Sequence, residues 1–237
     1  MDAIRVNSLK KKFKKITALD DVSLSVEEGE LFGLLGVNGA GKTTLINILS
    51  GLCKKNEGKV HIFDFDIDKN LNEIKKIIDI SPQETSVAPN LTVKENLKFF
   101  ASIYDVKEDK IDSIISTFKL NEVINQKAKT LSGGWQRRLS IAIALVSSPK
   151  ILFLDEPTLG LDVLARRDLW KIILSLKGKI TIILTSHYLE EIEALCDKVA
   201  ILSKGKLLKI GTIEEIKKNV NNKSFEDAFV EIVEENQ

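Results

Sequence analysis

A glycine-rich segment near residue 40 has the residue types and the spacing of a phosphate-binding loop. Residues 36–44 read Gly-Val-Asn-Gly-Ala-Gly-Lys-Thr-Thr, which fits the pattern G-x-x-x-x-G-K-S/T. The glycines let the backbone curl so that successive N–H groups converge on phosphate oxygens. Lys42 can reach the β- and γ-phosphates of a nucleotide, and the Thr43 hydroxyl can ligate Mg²⁺. The candidate binding residues are Gly36, Asn38, Gly39, Ala40, Gly41, Lys42, Thr43 and Thr44.

Two adjacent carboxylates, Asp155 and Glu156, follow an apolar run at residues 151–154. Ligands of parallel sheets bind at the carboxyl ends of the strands, so these carboxylates are candidates for chemistry on a bound phosphate. One carboxylate suits the coordination of Mg²⁺, and its neighbour can polarise a water molecule for in-line attack on the γ-phosphate. An apolar strand followed by Asp-Glu is weak evidence alone, but beside the phosphate loop it predicts hydrolysis.

The elements that must position these residues are buried strands. Residues 31–36, 151–154 and 180–184 are apolar at consecutive positions, as in strands that are covered on both faces. A helical pattern follows each run, and buried strands that alternate with helices predict a parallel α/β sheet. The first thirty residues instead alternate apolar and polar side chains, which predicts antiparallel strands with one exposed face.

A helical segment interrupts this alternation between about residues 84 and 149. Residues 92–95, Thr-Val-Lys-Glu, form a capping box, and apolar residues recur at helical spacing through residue 118. At the end of the chain, Ser224 and Asp227 cap a helix whose apolar face we expect to pack against the domain. We therefore predict one domain over residues 1–237, with a nucleotide-binding core at 1–83 and 150–217, a helical insertion at 84–149 and a C-terminal helix at 218–237.

The composition excludes several classes of protein. The 237 residues include 35 Lys and Arg against 34 Asp and Glu, so the net charge is +1. This balance predicts no nucleic-acid partner, because binding nucleic acid usually requires a basic excess. Membrane-spanning helices need roughly 20 apolar residues, and the sequence has neither such a run nor a signal peptide. We expect a cytoplasmic protein that reaches a membrane only through a partner, with Cys53 and Cys196 as buried, reduced thiols.

A resemblance to a known family rests on residues 131–137. The segment Leu131-Ser132-Gly133-Gly134-Trp135-Gln136-Arg137 resembles the signature motif of ATP-binding cassette (ABC) ATPases. The resemblance extends from about residue 3 to residue 217. It implies a P-loop (RecA-like) core with a mostly parallel sheet, an N-terminal antiparallel β subdomain and an inserted α-helical subdomain. It also implies that Ser132, Gly133 and Gly134 close over ATP held by a second cassette, so that a head-to-tail dimer, with an identical chain or a paralogue, encloses two ATP molecules.

The same resemblance assigns roles to single residues. Phe13 corresponds to the aromatic platform for adenine, and Gln83 to the glutamine that contacts Mg²⁺ and the attacking water. Asp155 is expected to hold Mg²⁺ through water, Glu156 to be the general base, and His187 to contact the γ-phosphate. The candidate catalytic residues are thus Lys42, Gln83, Glu156 and His187. The candidate ligands of Mg²⁺ are Thr43, Gln83 and Asp155.

Two departures from the family pattern lie near the predicted dimer interface. Trp135 occupies a position that is often polar in the family, and Leu159 replaces a small residue. Leu159 directly precedes residues 160–162, Gly-Leu-Asp, which are expected to cross the interface. Neither departure removes a catalytic group, so we expect both sites of a homodimer to be competent.

Several segments resemble the transporter branch of the family, notably residues 89–97 and 187–202. Residues 224–229 are most similar to bacterial exporters of drugs, peptides or polysaccharides, which act through a separate permease. We therefore expect an ATPase subunit that binds MgATP and drives export, peripheral on the inner face of the cell membrane through an integral-membrane permease. One alternative is a soluble ABC-type ATPase without a permease, such as an iron–sulfur assembly factor. Another is a nucleotide-binding module without turnover, which the presence of Glu156 disfavours.

Overall fold

The computed structural model describes residues 1–104, 106–218 and 224–236, and strands and helices alternate along most of that chain. The strands are β1 (Asp2–Phe13), β2 (Ile16–Glu27), β3 (Leu31–Leu35), β4 (Glu57–Ile62), β5 (Phe65–Asp66), β6 (Ile78–Ser81), β7 (Ile151–Asp155), β8 (Thr181–Ser186), β9 (Lys198–Ser203) and β10 (Lys206–Gly211). The helices are α1 (Lys42–Leu49), α2 (Leu71–Ile74), α3 (Val93–Ile103), α4 (Glu108–Thr117), α5 (Gly133–Ala144), α6 (Val163–Leu176), α7 (Leu189–Leu195), α8 (Ile213–Lys218) and α9 (Phe225–Glu234). Two 3₁₀ helices, Leu120–Val123 and Ala128–Thr130, lie between α4 and α5.

The smaller sheet is antiparallel and has the strand order β2-β1-β4-β5. In the pair formed by β1 and β2, Val6 lies opposite Leu24 and both are buried. Their neighbours Arg5 and Ser25 also lie opposite one another and are exposed. Successive side chains of a strand point to opposite faces, so the alternation in the sequence becomes one covered and one solvated face. The predicted antiparallel strands are confirmed.

The larger sheet has the order β10-β9-β3-β8-β7-β6, and all its neighbours are parallel except β10, which runs antiparallel to β9. β3, β7 and β8 are buried at every position. In β7, Ile151 and Phe153 pack in the core shared with the smaller sheet, whereas Leu152 and Leu154 pack in the core shared with the helices. Cover on both faces explains why these strands read as unbroken apolar runs.

The chain between β6 and β7 is helical. α3 begins at the predicted capping box, where Thr92 Oγ1 accepts a hydrogen bond from the Glu95 N–H at 3.1 Å and a Glu95 carboxylate oxygen accepts one from the Thr92 N–H at 2.8 Å. Apolar side chains of α3, α4 and α5 belong to the same buried core as the larger sheet. The mostly parallel sheet, the N-terminal antiparallel sheet and the inserted helices confirm the predicted fold class.

The predicted C-terminal helix at 218–237 is described at residues 218 and 224–236, and its residues 219–223 and 237 lie outside the described chain. Ser224 Oγ accepts a hydrogen bond from the Asp227 N–H at 3.1 Å, so the helix start is as predicted. Phe225, Ile232 and Val233 are buried in the core shared with the larger sheet. The apolar face of α9 therefore packs within the chain.

The prediction of two buried thiols is wrong for one cysteine. Cys196 is buried, but Cys53 is only half-buried, because it lies in the loop after α1; both are free. Burial raises the pKa of the Cys196 thiol well above its ordinary value. Among the described residues, no helix combines the length and the apolar character needed to cross a membrane.

Candidate active site

The loop between β3 and α1 curls so closely that two of its residues must be glycine. A Cβ on Gly36 would lie 2.4 Å from the Leu202 carbonyl oxygen of β9. Gly41 has a φ of +105°, and a Cβ there would lie 2.6 Å from the Ala18 carbonyl oxygen. The helix then begins at Lys42, as the motif predicts. Packing against β2 and β9 thus holds a loop whose conformation side chains would prevent.

Lys42 is nearly buried within this loop. Its Nζ donates a hydrogen bond to the Gly36 carbonyl oxygen at 2.6 Å and lies 3.8 Å from Glu156 Oε1. Burial lowers the pKa of Lys42, and the negative charges of Glu156 and Asp155 oppose that shift. The ammonium group is therefore held between the phosphate loop and the carboxylate pair, where it can meet a phosphate group.

Asp155 ends β7 beside β8 and the start of α1. One of its carboxylate oxygens accepts a hydrogen bond from Thr185 Oγ1 at 2.6 Å and lies 3.5 Å from Thr43 Oγ1, as a weak contact. The Asp155 backbone is in register with Thr185 in the sheet. This neighbour orients the carboxylate toward the loop.

Glu156 is the next residue and is also nearly buried. Its second carboxylate oxygen, Oε2, lies 2.7 Å from Nδ1 of His187, which follows the end of β8. The structure therefore brings together Lys42, Thr43, Asp155, Glu156 and His187, which are far apart in the sequence. The cause is the parallel sheet, because β3, β7 and β8 are adjacent and end at the same edge.

The backbone of Glu156 is strained. Its φ is +48°, in the left-handed region, where a residue with a side chain is disfavoured by about 1–2 kcal/mol. Three hydrogen bonds hold this conformation: the Glu156 N–H donates to Thr185 Oγ1 at 2.9 Å, and its carbonyl accepts from Arg137 Nη2 at 2.8 Å and from the Leu159 N–H at 3.2 Å. Such strain persists only where the surroundings enforce it, and it is commonest at functional sites.

A cavity of 320 Å³ lies over these residues. It is lined by the phosphate loop together with Gln83, Glu156, Leu159 and His187, and by residues 16–18 of β2. A larger cleft of 1050 Å³ lies at the other end of the strands, near Lys150 and Thr181, and its lining includes none of the predicted site residues. Because the candidate catalytic residues Lys42, Gln83, Glu156 and His187 all line the smaller cavity, we assign the site to it.

Phe13 lies outside the cavity lining, at the end of β1, next to Ile16 and Thr17, which do line it. Its ring is 46% exposed, and Lys11 Nζ lies 4.5 Å from the ring centroid. One face of the ring is therefore covered by a cation, and the side chain stands at the rim of the cavity. This position is compatible with the adenine platform that the resemblance implies.

The signature residues Ser132, Gly133 and Gly134 are not brought into this cavity. Ser132 and Gly133 are exposed at the start of α5, beside Leu161. Ser132 occupies the N-cap position as predicted, but within the described chain its hydroxyl makes no cap hydrogen bond to α5. The first N–H groups of a helix have no partners within the helix, so this exposed helix start is a place where an external anion could bind.

The two departures from the family pattern, Trp135 and Leu159, lie in different places, one on the signature helix and the other at the cavity. The Trp135 ring packs against the helical core, with the Arg138 guanidinium 4.6 Å from its centroid. Leu159 lines the cavity and is 38% exposed. Neither side chain replaces a polar group of the site.

Sequence reasoning missed two residues of the site, Thr185 and Arg137. Thr185 could have been found, because it precedes His187 at the end of a buried strand and the register of β7 and β8 pairs it with Asp155. Arg137 stands in the signature segment without a predicted role. It is 3% exposed; burial lowers the pKa of Arg137, and the negative charges of Asp155, Glu191 and Glu156 oppose that shift.

The residues present fit Mg²⁺ as the resemblance implies. Among the described residues, no three His, Cys, Asp or Glu side chains form a cluster that could hold a metal by itself. Mg²⁺ at nucleotide sites does not need one, because it uses one or two protein oxygens and takes the rest from phosphates and water. Thr43 Oγ1 and the Asp155 carboxylate provide such oxygens 3.5 Å apart at the cavity, and Gln83 lines it.

Comparison with known proteins identifies relatives over most of the chain. A family model described as "ABC transporter" matches residues 19–159. The linearmycin resistance ATP-binding protein LnrL of Bacillus subtilis is 37% identical over 214 residues, which cover 88% of this chain and 69% of that protein. The probable multidrug ABC transporter ATP-binding protein YbhF of Escherichia coli is 34% identical over 240 residues, which cover 97% of this chain but only 41% of that protein.

Two solved structures support the same relationship. One, described as the ATP-binding subunit of an ABC transporter, superposes with a TM-score of 0.87 at 27% identity and covers 98% of this chain and 99% of the other. The other is a dimer of the ATP-binding cassette MJ0796 in a post-hydrolysis state, bound to ADP and Pi. It superposes with a TM-score of 0.79 at 25% identity and covers 88% of this chain and 98% of the other.

Proposed function

Since the chain belongs to the ABC transporter family as one of its ATP-binding cassettes, we propose that it hydrolyses ATP to drive export through a separate permease. One observation carries the catalytic part of this proposal. The Glu156 carboxylate lies between His187 and Lys42, at 2.7 Å and 3.8 Å, on the wall of a cavity lined by the phosphate loop. A carboxylate in that place can accept a proton from a water molecule that attacks a phosphate held by the loop.

Each group around the cavity has a role in this reaction. The N–H groups of residues 38–43 and the Lys42 ammonium bind the phosphates and stabilise the charge that develops on the γ-phosphate. His187 fixes the orientation of the Glu156 carboxylate through its hydrogen bond and can contact the γ-phosphate. Glu156 removes the proton of the attacking water. Mg²⁺, which Thr43, Asp155 and Gln83 would hold, supplies positive charge at the phosphates.

The second part of the proposal is a head-to-tail dimer. Ser132 and Gly133 are exposed, Gly134 is half-buried, and all three lie outside the cavity of their own chain, so we propose that they bind ATP in the cavity of a partner. Such a contact closes into a two-fold symmetric, isologous pair of identical chains, because each chain contributes the loop to one site and the signature segment to the other. The dimeric state of the related MJ0796 cassette supports this arrangement, with a second copy or a paralogue as the partner.

The third part concerns the membrane. The names of LnrL and YbhF concern linearmycin resistance and multidrug transport, which supports export as the direction. We propose that a permease docks near Gln83 and the helical insertion at residues 84–149, while residues 1–83 and 150–217 bind the nucleotide. Loss of the γ-phosphate contacts would then shift the dimer toward separation and move the permease. Docking on the permease would hold this chain at the inner face of the membrane.

Replacement of the proposed base tests the catalytic role. Glu156→Gln keeps the size and a hydrogen bond to His187 but removes the proton acceptor, and general-base catalysis contributes about 10²–10⁴-fold. We expect steady-state ATP hydrolysis to fall by at least about 100-fold, while ATP binding persists and size-exclusion chromatography shows an ATP-dependent dimer. Glu30→Gln is the matched control, because it changes a buried carboxylate far from the cavity. Hydrolysis near the wild-type rate in Glu156→Gln would reject Glu156 as the base.

Purification from membranes tests the transport role. We expect a multi-span membrane protein to co-purify with the chain in a fixed stoichiometry, and ATP with vanadate to change its protection from protease. Recovery of soluble partners alone would contradict transport and would favour a soluble ABC-type ATPase.

A further inference from the structure

Arg137 joins three parts of the site from a buried position. It lies on α5, one turn beyond Gly134. Its guanidinium donates hydrogen bonds to the carbonyl oxygens of Pro82 at 2.5 Å and Gln83 at 2.9 Å. The same group donates to the carbonyl oxygen of Glu156 at 2.8 Å and contacts that of Asp155 at 3.4 Å.

All four acceptors of Arg137 are main-chain groups. A buried guanidinium is costly to desolvate, so its retention requires that its donors be satisfied. Here they are satisfied by two separate backbone segments, 82–83 and 155–156, rather than by an ion pair with a carboxylate. The planar fork of arginine can bridge two segments at fixed geometry, whereas a lysine ammonium is a single point of contact. Arg137 therefore relates the position of one backbone segment to that of the other.

The Glu156 carbonyl oxygen differs from the other acceptors of Arg137 because it belongs to a residue with a strained backbone. The Glu156 backbone is in the left-handed region, with its N–H bound to Thr185 Oγ1 and its carbonyl bound to Arg137. The direction of the carboxylate toward His187 and Lys42 depends on this backbone conformation. Removing the Arg137 contact would leave the Thr185 hydroxyl and the longer bond from the Leu159 N–H, at 3.2 Å, to hold it, so the backbone could relax and turn the carboxylate away.

We propose that Arg137 is a positioning residue that holds Gln83 and Glu156 in place relative to the signature helix α5. A displacement of Ser132, Gly133 and Gly134 is then transmitted through Arg137 to the carboxylate of the same chain. This inference rests on the proposed function, in which the signature segment binds the partner's ATP and Glu156 is the base. It follows that each ATP site of the dimer is coupled to the other through Arg137 of one chain.

Steady-state kinetics and ATP binding test this role. Arg137→Met keeps the length and the helix propensity of the side chain but loses every donor. A misplaced catalytic group costs on the order of 100-fold in rate, so we expect kcat to fall by about that factor while the Kd for ATP changes less than about threefold. Arg137→Lys keeps the charge and part of the hydrogen bonding but cannot bridge both segments, so its kcat should lie about three- to tenfold below that of wild type.

The neighbouring arginine provides a matched control. Arg138 is also buried on α5, but it binds the Asp168 side chain and stacks on Trp135 instead of contacting residues 82–83 or 155–156. We expect Arg138→Met to retain a kcat at least about tenfold above that of Arg137→Met at a similar melting temperature. Equal losses of kcat in the two variants would overturn the positioning role, because they would reflect loss of any buried guanidinium.

Two further results would overturn the inference. One is a kcat of Arg137→Met within about twofold of wild type. The other is a parallel loss of kcat, ATP affinity and folded fraction, which marks a merely structural residue. If Arg137→Met does not fold, a wild-type kcat in Arg137→Lys at unchanged ATP affinity is decisive against it. Failure of the proposed function is read separately, from turnover in Glu156→Gln.

Discussion

At the scale of single residues, the site is a set of charges that hold one another in place. Lys42 Nζ is bound by the Gly36 carbonyl oxygen and faces Glu156, whose other oxygen contacts His187. Asp155 is oriented by Thr185 and lies beside Thr43. Because these groups are mostly buried, their mutual attraction is screened less than it would be at the surface. The geometry thus supports the proposed roles of Lys42 as the cation that binds the phosphates and of Glu156 as the carboxylate that accepts a proton from water.

A change at Lys42 tests the first of these roles. Lys42→Ala removes the ammonium group that the loop holds for the phosphates, and charge-assisted hydrogen bonds are worth about 1.5–3 kcal/mol. We therefore expect the affinity for ATP to fall at least about tenfold in equilibrium binding with a fluorescent ATP analogue. Lys55→Ala is the control, because Lys55 is a partly buried lysine paired with Asp68. Unchanged ATP affinity in Lys42→Ala would contradict the assigned role.

At the scale of elements, strand ends and helix starts place the groups. β3, β7 and β8 are neighbours in one parallel sheet, and the chain leaves them at the phosphate loop, at Glu156 and at His187. α5 presents the signature segment at its exposed start and Arg137 one turn later at its buried face. The helices between β6 and β7 pack on the sheet through a shared apolar core, so α5 is held firmly beside the catalytic edge.

The start of α3 offers a test of how firmly this helical segment is built. Thr92→Ala removes one half of the capping box, which costs about 0.5–2 kcal/mol. For a chain of this size we expect the melting temperature to fall by about 2–4 °C per kcal/mol lost. Ser102→Ala is the control on the same helix, since its hydroxyl only bonds back to the Phe99 carbonyl. Equal melting temperatures for Thr92→Ala and Ser102→Ala would show that the capping box adds nothing.

At the scale of the whole molecule, the exposed signature segment does not line the cavity that holds the candidate catalytic residues. The two cannot serve the same ATP within one chain as it stands. The proposed dimer resolves this, because it joins the cavity of each subunit to the signature segment of the other. The net charge of the chain is only +1, so we expect the charged groups around the cavity, rather than the net charge, to set the electrostatic potential at a bound phosphate.

Mixing two inactive variants tests the composite sites. Lys42→Ala spoils the phosphate loop, and Ser132→Arg blocks the exposed signature segment, so each homodimer has two defective sites. In an equal mixture, half of the dimers are mixed and each has one intact site, so about one quarter of the wild-type number of sites should be restored. We expect ATPase activity to appear on mixing. The double variant mixed with Lys42→Ala should stay inactive.

The mixing experiment has a clear contrary outcome. If differently tagged subunits co-elute as mixed dimers and yet hydrolysis stays at the level of the separate variants, the signature segment does not complete the partner's site. Activity of Ser132→Arg alone at the wild-type rate would have the same meaning.

The local elements and the chemistry that they carry follow from short sequence patterns. The phosphate loop, the capping box at Thr92 and the buried strands are set by neighbouring residues, so glycine spacing and apolar periodicity were enough to predict them. Because parallel strands end at the same edge of a sheet, the sequence also predicted that Asp155 and Glu156 lie near the loop. These local rules also supported the signature resemblance, which rests on seven consecutive residues.

The distant groups that hold those residues in place are known only from the way the elements pack in the fold. Arg137 bonds to the carbonyl of Gln83, 54 residues away, and to that of Glu156, 19 residues away, and neither contact has a sequence signal. The left-handed backbone of Glu156 and the half-burial of Cys53 were equally unforeseen. Such features depend on how whole elements pack, because packing sets the direction and the partners of a side chain, whereas periodicity specifies only the face of the element on which it lies.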